Sequence, residues 1–498
     1  MPREDSLKKL TCERSSAQPN VKIPITEWTV VFSMLADLER HASERPDAIA
    51  MTAVDREWTF AQLDSAVRAA SLRLRAGGVR ARSVVAIDLA TAQEWIIDLA
   101  LIRLAARSVS LRGMAGLGGL ACDVLVTGGG IRSILAPVVI EADAAWFAGD
   151  AVADAPLVEY PRPDSVFRLM LTSGTTGTPR AAAYGVDGLG NRLAGLHNYW
   201  TDDRTELNFM SLSTTGGFHT AAASLRHGTP FVAVDRIDEV TLRWAAARGI
   251  RVLCGSPVQI GLAMELLGEH GITLPKLEEV RLAGASTSPA LLRLIAATVG
   301  VPVRGVYGST EGGGVTTRML HERDDPANVG RAVPGLELQV VDGAGVPVPD
   351  GTVGLVRYRG GALTAGYYSA GTVTAFPGGW FTPGDTGAVA DGSLTLAGRT
   401  TELVNIGGTK VDPTRIDALV AEFAGVTDAA AFGFELRPGI EVLIVALVSE
   451  PDADLGELER MLRAEVAAVT LWRVAEIPRN RMGKIERSLL GQAFSRRG

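Results

Sequence analysis

The sequence predicts an α/β protein. Its large N-terminal part holds parallel sheets covered by helices plus a small β-rich region, and a small α+β domain follows. Two observations carry this reading. Between residues 84 and 309, short β-branched runs alternate with longer helix-forming runs, the pattern of a parallel sheet built from βα units. After about residue 335 the alternation gives way to short β-like runs separated by turn pairs such as Asp350–Gly351 and Asp391–Gly392, which read as hairpins. Length adds a third constraint, because 498 residues exceed what one core accommodates.

Each element has its own local reason. Residues 1–24 are polar and charged with no apolar stretch, so they read as a flexible tail and not as a secretion signal. TFAQ, residues 59–62, has the capping-box pattern that opens a helix, and Gly77 and Gly78 end it. VVAIDLA (84–90) then reads as a strand and QEWIIDLALIRLAA (93–106) as a helix. The alternation continues through FVAV, TLRWAAARG, VLCGS, IGLAMELLGEH, VRLAG, ALLRLIAATVG and VRGVYGS. LELQVV, GLVRYRG and GAVADGSLTLAG supply the β-rich region. Asp412 followed by Pro413 is an N-cap with proline at the first helical position, opening a helix through IDALVAEF. AAAFGF and EVLIVALV read as paired strands and GELERMLRAEV as a helix. A boundary near 398 gives a domain of residues 25–398 and a second of 399–498.

Composition excludes several classes. A net charge of −7 leaves no overall basic footprint for nucleic acid. Three cysteines, Cys12, Cys122 and Cys254, lie far apart without metal-ligand spacing, against both a disulfide framework and a zinc site. No uncharged apolar run approaches the ~18 residues that cross a bilayer. A cytoplasmic protein is the expectation.

Four stretches carry chemistry. LTSGTTGTPR (171–180) is nearly all backbone amide and hydroxyl, and such a loop can turn its donors onto phosphate oxygens or serve as a plain surface turn. It is not a Walker A loop: Gly483 and Lys484 make the nearest approach, but Ile485 follows them. GLGGLA (116–121) fits a dinucleotide pattern only formally, and no Gly-x-Ser-x-Gly elbow occurs. VYGSTEGGG (306–314) presents Ser309, Thr310 and Glu311 where a strand ends at Tyr307; its carboxylate reads either as a solvated turn residue or as a ligand for Mg²⁺. GWFTPGDTG (379–387) places Asp385 in a turn, and PRNRMGKIERSLL holds Lys484, a surface residue on its own showing.

In this order and spacing the stretches resemble the adenylate-forming superfamily of acyl-CoA synthetases, peptide-synthetase adenylation domains and beetle luciferase. The resemblance runs from Trp58 to Lys484. It implies ATP-dependent activation of a carboxylic acid to an acyl adenylate, then transfer to a thiol of CoA or of a carrier protein's phosphopantetheine. It implies that Thr172, Ser173, Gly174, Thr175, Thr176 and Gly177 hold the β- and γ-phosphates. Gly284, Ala285 and Ser286 would flank adenine, with Tyr307 and Gly308 beside the nucleotide. Thr310 would meet the α-phosphate, Glu311 would hold Mg²⁺, and Asp385 with Arg399 would take the ribose. Lys484 would bridge the reacting oxygens from a mobile C-terminal domain. That domain's rotation would later bring Gly407 and Gly408 to the thiol tunnel.

Three departures stand out: Arg180 where the loop usually ends in lysine, Pro383 for threonine before Gly384 and Asp385, and Thr401 at the hinge. His219 falls where amino-acid-activating members place an aspartate. An aryl or medium acyl acid is therefore expected in preference to an α-amino acid, with Gly216, Gly217 and the alanines at 221–223 leaving room for a ring. A carrier-protein-loading acyl-AMP ligase and an ATP-dependent diazotase activating nitrite are the alternatives. No nucleic acid and no membrane span are expected as partners, and the acid is a small molecule.

Overall fold

The structure is a computed structural model. It describes residues 34–112, 117, 119–129, 136–149, 165–172, 180–195, 204–399, 404–406, 409–437, 440–466, 469–479 and 485–497. The chain divides into units Met1–Val31 and Phe32–Gly498; the first lies outside the described residues, and with it the expected tail of 1–24.

Two sheets organise the large part. In the first, strands Val84–Asp88, Arg107–Ser110, Val124–Thr127, Val138–Glu141 and Val166–Thr172 run parallel. Val166–Thr172 then pairs antiparallel with Arg180–Gly185, which pairs in turn with Tyr367–Ser369. Among the described residues the second sheet has thirteen strands. Its parallel half joins Ile49–Thr52, Phe231–Val232, Glu206–Asn208, Val252–Gly255, Glu279–Ala283 and Val303–Ser309. Its antiparallel half continues through Gly313–Leu320, Asn328–Ala332, Ser393–Arg399, Asp385–Ala390, Gly354–Gly360 and Leu336–Val341. The β-rich region foreseen after residue 335 is therefore no separate sheet. It extends the parallel one, because Val303–Ser309 bonds a parallel neighbour on one side and an antiparallel one on the other.

Local signals act as the sequence reading expects. Thr59 and Gln62 form both bonds of the capping box of helix Phe60–Ala76, and Ser256 with Gln259 repeats the device. Asp391 and Gly392 both have positive φ, the conformation a two-residue hairpin turn needs. Asp350 and Gly351 instead belong to the longer connection 342–353, and the Gly351 N–H donates to the Val389 carbonyl at 2.7 Å. In the C-terminal part, Val426–Arg437 and Ile440–Ser449 pair antiparallel and Val469–Arg473 joins in parallel, flanked by helices Pro413–Ala421, Leu455–Glu465 and Arg487–Ser495.

The main core lies around helices Phe60–Ala76, Thr91–Arg103 and Thr215–His227, with Trp95, Phe167, Phe218 and Phe231 in it. One buried polar cluster interrupts it. The Arg168 guanidinium donates to Asp98 at 2.5 Å, Ser108 at 3.1 Å, Glu94 at 3.3 Å and the Leu212 carbonyl at 2.6 Å, and lies 4.4 Å from the Phe218 ring centroid. All three charged side chains are inaccessible to solvent.

This packing gives the small residues of helix Thr215–His227 a second reason. A Cβ on Gly217 would lie 2.2 Å from the Ser211 carbonyl oxygen, and one on Gly216 would lie 2.4 Å from Met210 Cε. Ala221, Ala222 and Ala223 are buried in the main core. Gly217 is thus required by the chain's own backbone and the three alanines by the core, whereas Gly216 is half-buried and meets only the flexible end of the Met210 side chain.

Candidate active site

Strand Val303–Ser309 runs parallel to its neighbour Glu279–Ala283, so its end lies at the carboxyl edge of the sheet, where open α/β sheets bind ligands. The strand continues two residues beyond Tyr307, and Ser309 pairs with Gly313, which narrows the expected loop to turn 310–312. Gly308 is demanded by contact, since a Cβ there would stand 1.8 Å from the Gly313 carbonyl oxygen.

Buried donors hold the turn from behind. The Tyr184 hydroxyl donates to the Thr310 carbonyl at 2.7 Å and meets Thr215 Oγ1 at 2.6 Å. The Glu311 carbonyl accepts from Arg192 Nη2 at 2.6 Å and from the Thr364 N–H at 2.8 Å. Ser309 Oγ accepts from the Gly312 N–H at 3.0 Å and from the Tyr358 hydroxyl at 2.8 Å. The Glu311 carboxylate is itself buried and takes the Tyr367 hydroxyl at 2.5 Å. Burial, and then Glu311, push the Tyr367 hydroxyl's pKa up, so it remains a donor. Arg180 lies 4.0 Å over the Tyr367 ring and pairs across the strands with Thr172. Arg180 thus links the edge of the hydroxyl-rich loop to the Glu311 carboxylate.

A second group forms around Asp385, which is buried and directly opposite Arg399 in its hairpin. Its oxygens accept from Arg399 Nε at 2.6 Å and from the Tyr307 hydroxyl at 2.5 Å. Burial and the Asp385 charge raise the Tyr307 pKa well above the usual phenol value. Gly284 has φ +91, and with Ala285 and Ser286 it is exposed just past strand Glu279–Ala283. His219 is buried, its Nε2 3.5 Å from Arg192 Nη1 and its ring edge-on to Tyr184 at 6.3 Å. Burial first, then the Arg192 charge, depress its pKa well below 6.5 and keep the imidazole neutral.

The structure therefore gathers Thr310, Glu311 and His219 around Tyr184 and Arg192, and Tyr307 with Asp385 and Arg399. Lys484, Gly407, Gly408 and the loop residues Ser173, Gly174, Thr175, Thr176 and Gly177 lie outside the described residues. Sequence reasoning missed Tyr184, Arg192, Tyr358 and Tyr367. A signal existed in their scarcity: the chain has seven tyrosines, and four of them (184, 307, 358 and 367) converge here.

Two features suit a nucleotide with its metal. Thr172, the last strand residue before the loop, has a buried hydroxyl with no partner among the described residues, a donor left for an anion's oxygen. Mg²⁺ needs one or two carboxylates when phosphates supply its other ligands, and Glu311 offers one. Among the described residues no group of three His, Cys, Asp or Glu side chains forms a metal cage.

Comparison with known proteins decides the family. Residues 127–368 match the AMP-binding enzyme family. The chain is 31% identical over 346 residues to the sulfoacetate–CoA ligase of Cupriavidus necator, a match covering 66% of this chain and 67% of that protein. The chain belongs to the adenylate-forming, AMP-binding enzyme family. The indoleacetate–CoA ligase of Aromatoleum aromaticum is 25% identical over 500 residues, covering 92% of this chain and 98% of that one. The fold is also that of ATP-bound MatB from Rhodopseudomonas palustris, with TM-score 0.79, 21% identity, and 92% and 98% of the two chains covered. As a member of this family the protein is an adenylate-forming acid–CoA ligase. Among the described residues no helix is long and apolar enough to cross a membrane.

Proposed function

We propose that the protein activates an aryl or medium-sized acyl carboxylate with ATP, releasing pyrophosphate, and passes the acyl group to CoA. The buried Glu311 carboxylate on a turn braced at the sheet's carboxyl edge carries this reading. In the first step a carboxylate oxygen attacks the α-phosphorus and pyrophosphate leaves. In the second, a thiolate attacks the acyl carbonyl and AMP leaves. Thr310 and the loop from Thr172 to Gly177 orient the phosphates. Asp385, fixed by Tyr307 and Arg399, accepts from the ribose hydroxyls. Glu311 would hold Mg²⁺, whose charge, when bound, offsets the repulsion between the two anions. Gly284, Ala285 and Ser286 flank the base, beside Tyr307 and Gly308. Lys484 supplies a cation to the forming bond, and rotation of residues 399–498 then exchanges it for Gly407 and Gly408 at the thiol entrance.

His219 marks the acid side of the site. An α-ammonium there would meet a neutral imidazole and the Arg192 cation instead of a carboxylate, so electrostatics favour acids without an amino group.

The test is pyrophosphate release across aryl acids, fatty acids, amino acids and nitrite, each with and without CoA. An acyl-CoA product identified by mass from aryl or medium acyl acids supports the reading. ATP cleavage that requires nitrite and an aryl amine, with no thioester formed, refutes it.

A further inference from the structure

Helix Val186–Gly195 carries a guanidinium that the two reaction steps above do not use. Arg192 is buried at 4% exposure, and among the described residues no carboxylate pairs with it. Burying a cation without a counter-ion is costly, and it persists only where other groups replace its hydration. Here neutral groups do so. Nε donates to the Ala362 carbonyl, Nη1 to the Tyr184 hydroxyl at 2.7 Å, and Nη2 to the Glu311 carbonyl at 2.6 Å. His219 Nε2 lies 3.5 Å from Nη1. Each acceptor belongs to a different segment of chain, and the Tyr184 hydroxyl passes the contact on to the Thr310 carbonyl.

The geometry points to Arg192 as the positioning residue of the adenylation step, fixing turn 310–312 through the Glu311 carbonyl and the Tyr184 hydroxyl. It never touches the nucleotide. It sets the direction in which Thr310 and Glu311 face it. A planar fork with donors on three nitrogens can hold three segments at once, whereas a lysine offers a single nitrogen. Gly313 completes the fit: a Cβ there would stand 3.0 Å from Arg192 Nη1 and 3.4 Å from His219 Cε1, and the residue has φ +68. The proposal rests on the reading that turn 310–312 serves ATP.

The test uses the full chain with Arg192→Lys and Tyr184→Phe, the second removing only the relaying hydroxyl. Pyrophosphate exchange and Mg·ATP affinity by calorimetry are the readouts. Displacing reacting groups by about an ångström costs on the order of 100-fold in rate. Arg192→Lys should therefore lower kcat by about that factor, with the KM for the acid within about threefold. Tyr184→Phe, which loses the hydroxyl's contacts with Thr310, Thr215 and Arg192 but keeps the guanidinium's bond to the Glu311 carbonyl, should lower kcat by roughly 10-fold. Mg·ATP affinity should weaken in both. Retention of kcat and nucleotide affinity within about threefold overturns the role. If Arg192→Lys does not fold, Tyr184→Phe decides on the same threshold. Wild-type chain that binds Mg·ATP yet forms no thioester would refute the CoA reading, while the affinities would still report on Arg192.

Discussion

Glu94→Gln tests the buried cluster beneath the site. Glu94 and Asp98 share the Arg168 guanidinium in a region closed to water. Burial first, and then the neighbouring Asp98 charge, push the Glu94 pKa from 4.5 up to about 7, against the opposing pull of Arg168. Its proton is thus held more tightly in the folded chain than in the unfolded one. The stabilisation is complete below the unfolded value of 4.5 and is lost as pH rises through about 7. At 1.36 kcal/mol per unit, the shift sets a ceiling of about 3 kcal/mol. Glutamine keeps the shape of the protonated acid and cannot ionise. Urea unfolding of both proteins from pH 5 to pH 8 should show near-equal stability at pH 5. By pH 8 the variant should be the more stable by about 1–3 kcal/mol. Asp417, also raised to about 7 by burial, adds a slope common to both proteins, so it cancels in the difference. A difference that does not change with pH, or a variant most destabilised at pH 8, would refute the reasoning.

Three further outcomes follow from the geometry. Tyr367→Phe removes the hydroxyl on the Glu311 carboxylate and should lower the adenylation rate by roughly 10-fold and raise the Mg²⁺ needed for half-maximal rate, with an unchanged circular dichroism spectrum. Asp385→Asn keeps an acceptor for Tyr307 but removes the charge facing Arg399; the KM for ATP should rise about 10-fold or more, read against an acid KM that stays within about threefold. Gly217→Ala forces a methyl to 2.2 Å from the Ser211 carbonyl oxygen and should cost about 1–3 kcal/mol in a denaturation midpoint. Relative rates across an acid panel should not move; a changed acid preference would restore these glycines to the pocket.

The turn 310–312 and the helix caps at Thr59 and Asp412 were legible in the sequence because their information is local: fixed residue types at fixed short spacing. Asp385, expected in a turn, instead opens strand Asp385–Ala390. What holds the turn was not legible. Tyr184, Arg192 and Tyr367 act across the fold, and nothing beside them in the chain records the carbonyls and carboxylate they reach. The use made of the glycines at 216 and 217 was not legible for the same reason. Smallness in a sequence shows that space is needed, and only packing shows whether a ligand or the chain's own backbone fills it. The antiparallel strands after residue 335 read correctly as hairpins, yet their union with the parallel sheet depends on the two-sided pairing of Val303–Ser309.

The brace behind turn 310–312 also bears on the order in which the chain assembles. Its bonds join Thr310 to Tyr184 across 126 residues and Glu311 to Arg192 across 119, and Tyr367 closes from the other side across 56. Contacts between such distant partners form after nearby ones, since the intervening chain must first be ordered. Helices such as Phe60–Ala76 can form from their own neighbourhood; the turn acquires its shape only when segments on both sides of it have docked. Refolding chains should therefore regain helical signal before they regain nucleotide binding. A fragment that stops short of Tyr367, or begins after Arg192, carries turn 310–312 without its brace.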